Sequence, residues 1–132
     1  TRVPAPPPPA PRRGWALHAL PQAGWPGRRL DDLGLSRADG ECVSASLDAV
    51  PAEGLADGWV LRGAIAGGGW LHWIVLADGD GVIHGLGVPL GLQRPDGVAW
   101  QGFVPGAALP DGLTVHAVER GLIRDRLLPP CR

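Results

Sequence analysis

The sequence contains no methionine, no lysine and no tyrosine, one phenylalanine and only two cysteines. Without lysine, all twelve cationic side chains are arginines, a bias that indicates a GC-rich genome and not a binding function. The formal net charge of −1 argues against a nucleic-acid partner, since such partners select an excess of positive charge. No run of 18 apolar residues exists, so the sequence predicts no transmembrane helix. Because the chain starts at Thr1, we expect a processed protein or an excised segment.

The two cysteines, Cys42 and Cys131, are too few and too far apart for a zinc cluster or a redox motif. Two interpretations remain open, namely two separate buried thiols or one disulfide. A disulfide would close a loop of about 90 residues, which stabilises a domain by roughly 4 kcal/mol in the chain-entropy model. It would also indicate an oxidising compartment.

Proline and charge divide the chain into two parts. Residues 1–29 hold eight of the fifteen prolines and a net charge of +5, whereas residues 30–132 carry −6. The run of prolines at 6–9 predicts an extended polyproline II segment. We therefore predict a basic, proline-rich arm over 1–29 and a folded domain over 30–132. The arm either contacts an anionic membrane surface, folds back on the acidic domain, or is a solvated linker.

The rest of the chain reads as short strands separated by glycine and proline turns. The predicted strands are 43–49, 59–66, 70–77, 81–88, 98–104, 113–120 and a weaker 122–128. Between the third and fourth, Asp78-Gly79-Asp80-Gly81 predicts a tight hairpin turn. No long segment has helical periodicity. The pattern predicts an all-β fold, an antiparallel β-sandwich of six to seven strands, with a small barrel as the other arrangement.

The tryptophans on the third predicted strand suggest a binding surface. Trp70 and Trp73 are three positions apart and therefore face opposite sides of a strand. The Trp73 side is predicted to be the core. On the other side, a two-residue hairpin turn places His72 opposite Gly87, with Gly85 nearby, so that Trp70 borders a glycine-flanked groove. A sugar ring would stack there; alternatively the indole covers bare backbone or packs under the arm.

The sequence gives little support for a catalytic site or a metal site. In the same hairpin register His72 and His84 point to opposite faces, so we predict neither a metal site nor a cofactor. No serine lies in a nucleophile elbow. One enzymatic alternative is a small carbohydrate hydrolase that uses Asp78, Asp96 and His116.

Residues 42–132 resemble a β-domain found at the C-terminus of polytopic membrane proteins of GC-rich proteobacteria, many of them glycosyltransferases or surface-polysaccharide proteins. The resemblance rests on Cys42 with Leu47-Asp48, Gly58-Trp59-Val60-Leu61-Arg62-Gly63, the stretch from Val75 to Gly87 around Asp78-Gly79-Asp80-Gly81, Arg94-Pro95-Asp96, Trp100-Gln101-Gly102-Phe103 and Cys131. It implies a periplasmic accessory domain without catalytic residues, tethered to the inner membrane through a parent chain.

These observations lead to one functional prediction. We expect a non-catalytic extracytoplasmic domain that binds or positions a glycan or a partner in envelope polysaccharide biosynthesis. The ligand surface is predicted to comprise Trp70, His72, Arg94, Asp96 and Trp100. The alternatives are the hydrolase and a purely structural interaction module.

Overall fold

A computed structural model describes residues 24–37, 40–52, 57–94 and 96–131. They form a short 3₁₀ helix, Leu30–Leu33, followed by β-strands. The strands are β1 (Ser36–Arg37), β2 (Ser44–Ala45), β3 (Asp48–Pro51), β4 (Gly58–Ala66), β5 (Leu71–Ala77), β6 (Ile83–Arg94), β7 (Gly97–Pro105), β8 (Thr114–Glu119) and β9 (Arg126–Leu128). Within these ranges, no helix has the length and apolar character needed to cross a membrane.

The strands form a single mixed sheet. Its order is β1-β9-β8-β5-β6-β7-β4-β2, with β3 also paired to β4. Neighbouring strands are antiparallel except β1, which lies parallel to β9. The prediction of a strand-rich fold is confirmed. The finer prediction of an antiparallel sandwich is not, because the described strands belong to one curled sheet that includes a parallel pair.

The sheet curls until its two ends meet at Val43. This residue precedes β2, which pairs with β4, and it also forms a parallel bridge to Pro130, just after β9. The Val43 amide donates to the Pro129 carbonyl at 2.9 Å, and the Cys131 amide donates to the Val43 carbonyl at 2.8 Å. Val43 and the adjoining β2 therefore connect β4 to the end of β9, so that the curled sheet surrounds the space between these two strands.

The disulfide lies beside this seam. Cys42 and Cys131 are bonded to each other, and the chain has no free cysteine. The interpretation as one disulfide is confirmed. It links the chain shortly before β2 to the chain shortly after β9, across 89 positions of sequence.

A core of apolar side chains fills the inside of the curl. Its members come from strands at both ends of the sheet and are almost completely buried. They are Val43, Leu61, Ile65, Leu71, Ile74, Leu76, Val98, Trp100, Val104, Val115, Ala117 and Leu128. On β7 burial alternates residue by residue, as expected for a strand with one face inside and one outside.

A second apolar cluster lies on the outer face of the sheet, under the chain that precedes β1. Trp25, Leu30, Leu33 and Leu35 pack there against a set of strand residues. That set is Trp73, Val75, Ala77, Ile83, Leu86, Val88, Phe103, Val118 and Leu127. The sheet is therefore covered from outside by its own N-terminal segment.

Residues 24–29 belong to this cover although the sequence places them in the arm. The Gly27 amide donates to the Ile83 carbonyl at 2.7 Å, and the Ile83 amide donates to the Arg28 carbonyl at 2.8 Å. Arg29 also forms a bridge with Val82. In this short stretch the chain folds back on the domain. The rest of the predicted arm, 1–23, with its proline run and Trp15, lies outside the described residues.

Both faces of β5 are buried: the Trp73 side is packed, as predicted, and the opposite side, which was predicted to border a groove, is buried too. Ile74 and Leu76, on the other side, are fully buried inside the curl. Trp73 and Val75 are buried under the N-terminal segment. Curling buries the inner face and the added cover buries the outer one, which explains the continuous apolar run along this strand.

The β5–β6 hairpin has a longer turn than predicted. The Gly81 amide donates to the Asp78 carbonyl at 3.0 Å, and the Asp78 amide donates to the Val82 carbonyl at 3.0 Å. Gly81 has φ +82°, the left-handed conformation that such a turn requires before the strand resumes. Together with a bulge at His84 of β6, opposite Leu76 and Ala77, this turn pairs Ile74 with Gly87. The predicted register, with His72 opposite Gly87, is therefore wrong by two residues.

Candidate functional site

Three connections lie at one end of the sheet, because the central strands alternate in direction. They are the loop 67–70 between β4 and β5, the turn at Asp96 between β6 and β7, and the turn 120–125 between β8 and β9. Three of the predicted ligand residues, Trp70, His72 and Asp96, lie at this end.

The loop 67–70 holds the Trp70 side chain in solvent. The Trp70 carbonyl accepts a hydrogen bond from the Arg120 amide at 2.8 Å. One residue earlier, the Gly69 amide donates to the carboxylate of Glu119. With its backbone fixed on both sides, Trp70 is 68% exposed. A large aromatic ring held in solvent is the most accessible apolar surface on this loop.

His72, the second residue of β5, lies next to this loop with an exposed side chain. Its Nδ1 lies 3.6 Å from the carboxylate of Asp125, at the end of the β8–β9 turn. Its ring centroid lies 5.4 Å from that of Trp73. An imidazole and a carboxylate at the end of the sheet that carries the exposed Trp70 indole are groups that can hydrogen-bond to hydroxyls of a ligand.

Glu119 is a buried charged residue that the sequence analysis missed. Burial raises the pKa of its carboxyl, but hydrogen bonds from the Gly69 amide and the Arg126 guanidinium outweigh burial, so the net pKa is lowered. Arg126 donates through Nε at 2.9 Å and also contacts Glu41. This network ties the loop before β5 to β8 and β9. The polar groups of this network hydrogen-bond to one another, which indicates that the network positions the loop 67–70.

Trp100 does not belong to the surface. Its side chain is fully buried in the inner core, and its Nε1 donates to the Ser46 carbonyl at 3.1 Å. The predicted ligand role for Trp100 is therefore wrong, because the curl places this face of β7 inside the protein.

The predicted glycine-flanked groove is also wrong. Gly85 and Gly87 are buried and lie against the backbone of β7. A Cβ on Gly85 would collide with the carbonyl oxygen of Phe103, and one on Gly87 would lie 2.7 Å from that of Gln101. These glycines allow close approach of two strands and form no surface for Trp70 to border.

Arg94 and Asp96 lie on the turn between β6 and β7. Arg94 pairs through its backbone with Gly97, and its side chain lies outside the described part of the structure. Asp96 is exposed at the same end of the sheet as Trp70, but on a separate connection. The structure therefore places Trp70 and His72 at the same end of the sheet, two positions apart along the chain, and it adds Asp125 as a neighbour of His72 that the sequence analysis did not identify.

The residues of the hydrolase alternative are not brought together. Asp78 lies in the β5–β6 turn and Asp96 in the β6–β7 turn, at opposite ends of the sheet. The strand between these two turns, β6, has twelve residues and an extended length of about 40 Å. The Asp78 carboxylate serves the turn, accepting from the amides of Asp80 at 2.9 Å and Val82 at 3.0 Å and contacting His84 Nε2 at 2.7 Å. Chiefly the His84 contact, with these amides, lowers the pKa of Asp78.

His116 is buried on the outer face of β8. Its Nε2 lies 2.9 Å from the hydroxyl of Thr114. Burial, with a smaller effect of the charge on Arg37, lowers the pKa of His116 to about 4. Within the described ranges, His116 Nδ1 and the Nε1 of Trp73 are buried without hydrogen-bond partners. The imidazole is neutral at physiological pH and belongs to the packing of this face.

The described part of the chain contains no group of three or more His, Cys, Asp or Glu residues that could hold a metal ion.

No family model, curated protein or solved structure matches the chain. The resemblance inferred from the sequence stays a prediction.

Proposed function

We propose that this chain is a non-catalytic, extracytoplasmic accessory domain that binds a glycan at the end of its sheet that carries Trp70. The observation behind the proposal is the exposed indole, which a hydrogen-bonded loop holds in solvent at the end of the sheet that also carries the His72–Asp125 pair. A sugar ring presents an apolar face that stacks on an aromatic ring and hydroxyls that need polar partners. The three side chains offer both kinds of contact.

The compartment is part of the proposal. A disulfide fits an oxidising environment, and we propose a periplasmic domain tethered to the inner membrane through a parent chain. Fractionation of the source cells with thiol trapping tests this. The chain is expected to be oxidised in the periplasmic fraction, and recovery of a reduced chain from the cytoplasm would contradict the proposal.

Glycan binding is tested by calorimetric titration of the lipid-free protein with soluble fragments of bacterial surface polysaccharides. Trp70→Ala is expected to weaken binding about fivefold, since stacking on one aromatic ring contributes roughly 1 kcal/mol. Trp70→Phe should retain part of the affinity, and His72→Ala should weaken it less than the loss of the indole does.

A matched control is Val50→Ala, which shortens another exposed apolar side chain on β3. It is expected to bind as the wild type does. If a broad panel of fragments fails to bind, or if Trp70→Ala binds like the wild type, the glycan proposal is wrong. The structural interaction module would then be the better interpretation.

A further inference from the structure

Two aliphatic side chains lie in solvent at the apex of the β8–β9 turn. Leu122 is fully exposed and Ile123 is 99% exposed. The turn also carries an exposed arginine on each side of the pair, Arg120 and Arg124. We name Arg120, Leu122, Ile123 and Arg124, together with the adjacent Trp70, the apolar tip.

The tip is held rigidly by its base. Gly121 packs so closely on the Arg124 carbonyl that no side chain would fit at position 121, so the turn is tight and directs the next two residues outward. The Arg120 amide donates to the Trp70 carbonyl at 2.8 Å, and the Asp125 carbonyl accepts from the Ser36 amide at 3.2 Å. The aliphatic pair is therefore held away from the core by a turn anchored on two sides.

The charge around the pair differs from that of the domain. Residues 30–132 carry −6, yet the side chains next to the apex are two arginines. Among the described residues neither Arg120 nor Arg124 forms an ion pair, whereas Arg126 is paired with two glutamates. Asp125, the acidic residue of the turn, has its carboxylate 3.6 Å from His72 Nδ1.

Together these features match the surface of an anionic bilayer. Exposed aliphatic side chains gain free energy by entering the acyl region, arginines beside them are attracted to anionic headgroups, and tryptophan favours the interface between the two. We propose that the apolar tip inserts into the outer part of an anionic membrane, with Leu122 and Ile123 below the headgroups and Trp70, Arg120 and Arg124 among them. This contact shares Trp70 with the proposed glycan site, but its inserted residues, Leu122 and Ile123, take no part in glycan binding. It is also separate from any contact made by residues 1–23.

Flotation of the full chain with vesicles tests the proposal in the absence of any glycan. The wild type is expected to float with phosphatidylcholine vesicles that contain 30% phosphatidylglycerol, and much less with pure phosphatidylcholine. The double variant Leu122→Ser/Ile123→Ser removes most of the inserted apolar surface, so partitioning should fall at least about tenfold. Arg120→Gln and Arg124→Gln should each reduce it about fivefold.

Two control variants leave the tip intact. Val50→Ser removes an exposed apolar side chain on β3, and Arg62→Gln removes an exposed arginine on β4. Both are expected to float as the wild type does. Every tip residue to be changed is exposed, so each variant is expected to fold, and circular dichroism is the measurement that checks this.

A second measurement follows the depth of the tip. An environment-sensitive fluorophore on Ile123→Cys should shift to the blue on anionic vesicles, whereas the same label on Val50→Cys should not. The proposal is overturned if the wild type does not float, which would leave a protein partner as the occupant of the tip. It is also overturned if the tip variants float like the wild type, or if neutral and anionic vesicles bind equally.

Discussion

The amide of Cys131 donates a hydrogen bond to the carbonyl oxygen of Val43 at 2.8 Å, so the two segments that the disulfide joins are also paired through their backbones. Val43 itself is completely buried in the inner core. The seam where the sheet meets itself therefore depends on three kinds of interaction, namely covalent, hydrogen-bonded and apolar.

Loss of the disulfide should destabilise the domain strongly. In the chain-entropy model, closing a loop of this length contributes about 4 kcal/mol, so Cys42→Ala/Cys131→Ala should lower the melting temperature by more than about 10 °C. Reduction of the wild type should have the same effect, measured by calorimetry with and without reductant. Two alkylatable thiols in the native protein, or a melting temperature unchanged by reductant, would contradict this prediction.

Gly85→Ala should be among the more damaging small substitutions. The added methyl would meet the Phe103 carbonyl oxygen and lie 2.7 Å from the Val104 side chain, so β6 and β7 would have to separate. We expect a loss of about 3 kcal/mol in urea unfolding. Gly79→Ala is the matched control, since no atom lies within 4 Å of its new methyl group, and it should change stability by less than about 0.5 kcal/mol.

Asp78 should stabilise the β5–β6 turn through its charged carboxylate. Hydrogen bonding in the folded protein lowers its pKa from 3.8, so this stability is present at neutral pH and is lost as pH falls below about 4. Asp78→Ala should therefore lower the melting temperature at pH 7 and have a smaller effect near pH 2. Asp80→Ala, an exposed change in the same turn, is the control. Equal effects of the two substitutions at pH 7 would argue against the role of Asp78.

The sequence predicts the strands well because their apolar periodicity and turn residues are local properties. The predicted strand 59–66 corresponds to Gly58–Ala66, and 98–104 to Gly97–Pro105. β6 runs past its predicted end at residue 88, because it continues to pair with β7 as far as Arg94. Pro89 is tolerated there, since the pairing of β6 with β5 has already stopped at Gly87 and only one side of the strand needs hydrogen bonds.

The site is harder to predict, since alternation along a strand does not tell which face the curl will enclose. Trp100 and Trp70 both follow a strand-like pattern, yet one is buried and the other exposed. Leu122 and Ile123 likewise read as the start of a strand. The tight turn at Gly121, which depends on contact with Arg124, places them at an apex instead.

His116 should make the stability of the domain depend on pH in a defined window. Its pKa falls from 6.5 to about 4 on folding, mainly because the imidazole is buried. Below pH 6.5 the unfolded chain binds a proton at this side chain that the folded chain does not, so stability falls as pH decreases and stops falling below about pH 4. Across the whole window the loss from this group is on the order of 3 kcal/mol.

Urea unfolding between pH 7 and pH 4 measures this effect. His116→Gln removes the titrating group, so its free energy of unfolding should fall less steeply with acid than that of the wild type. Val118→Ala, a change at a fully buried position two residues along the same strand, should lower stability by a similar amount at every pH. If the wild type and His116→Gln lose stability in parallel between pH 6.5 and pH 4, the imidazole is not buried in its neutral form, and the packing of the N-terminal segment over β8 is wrong.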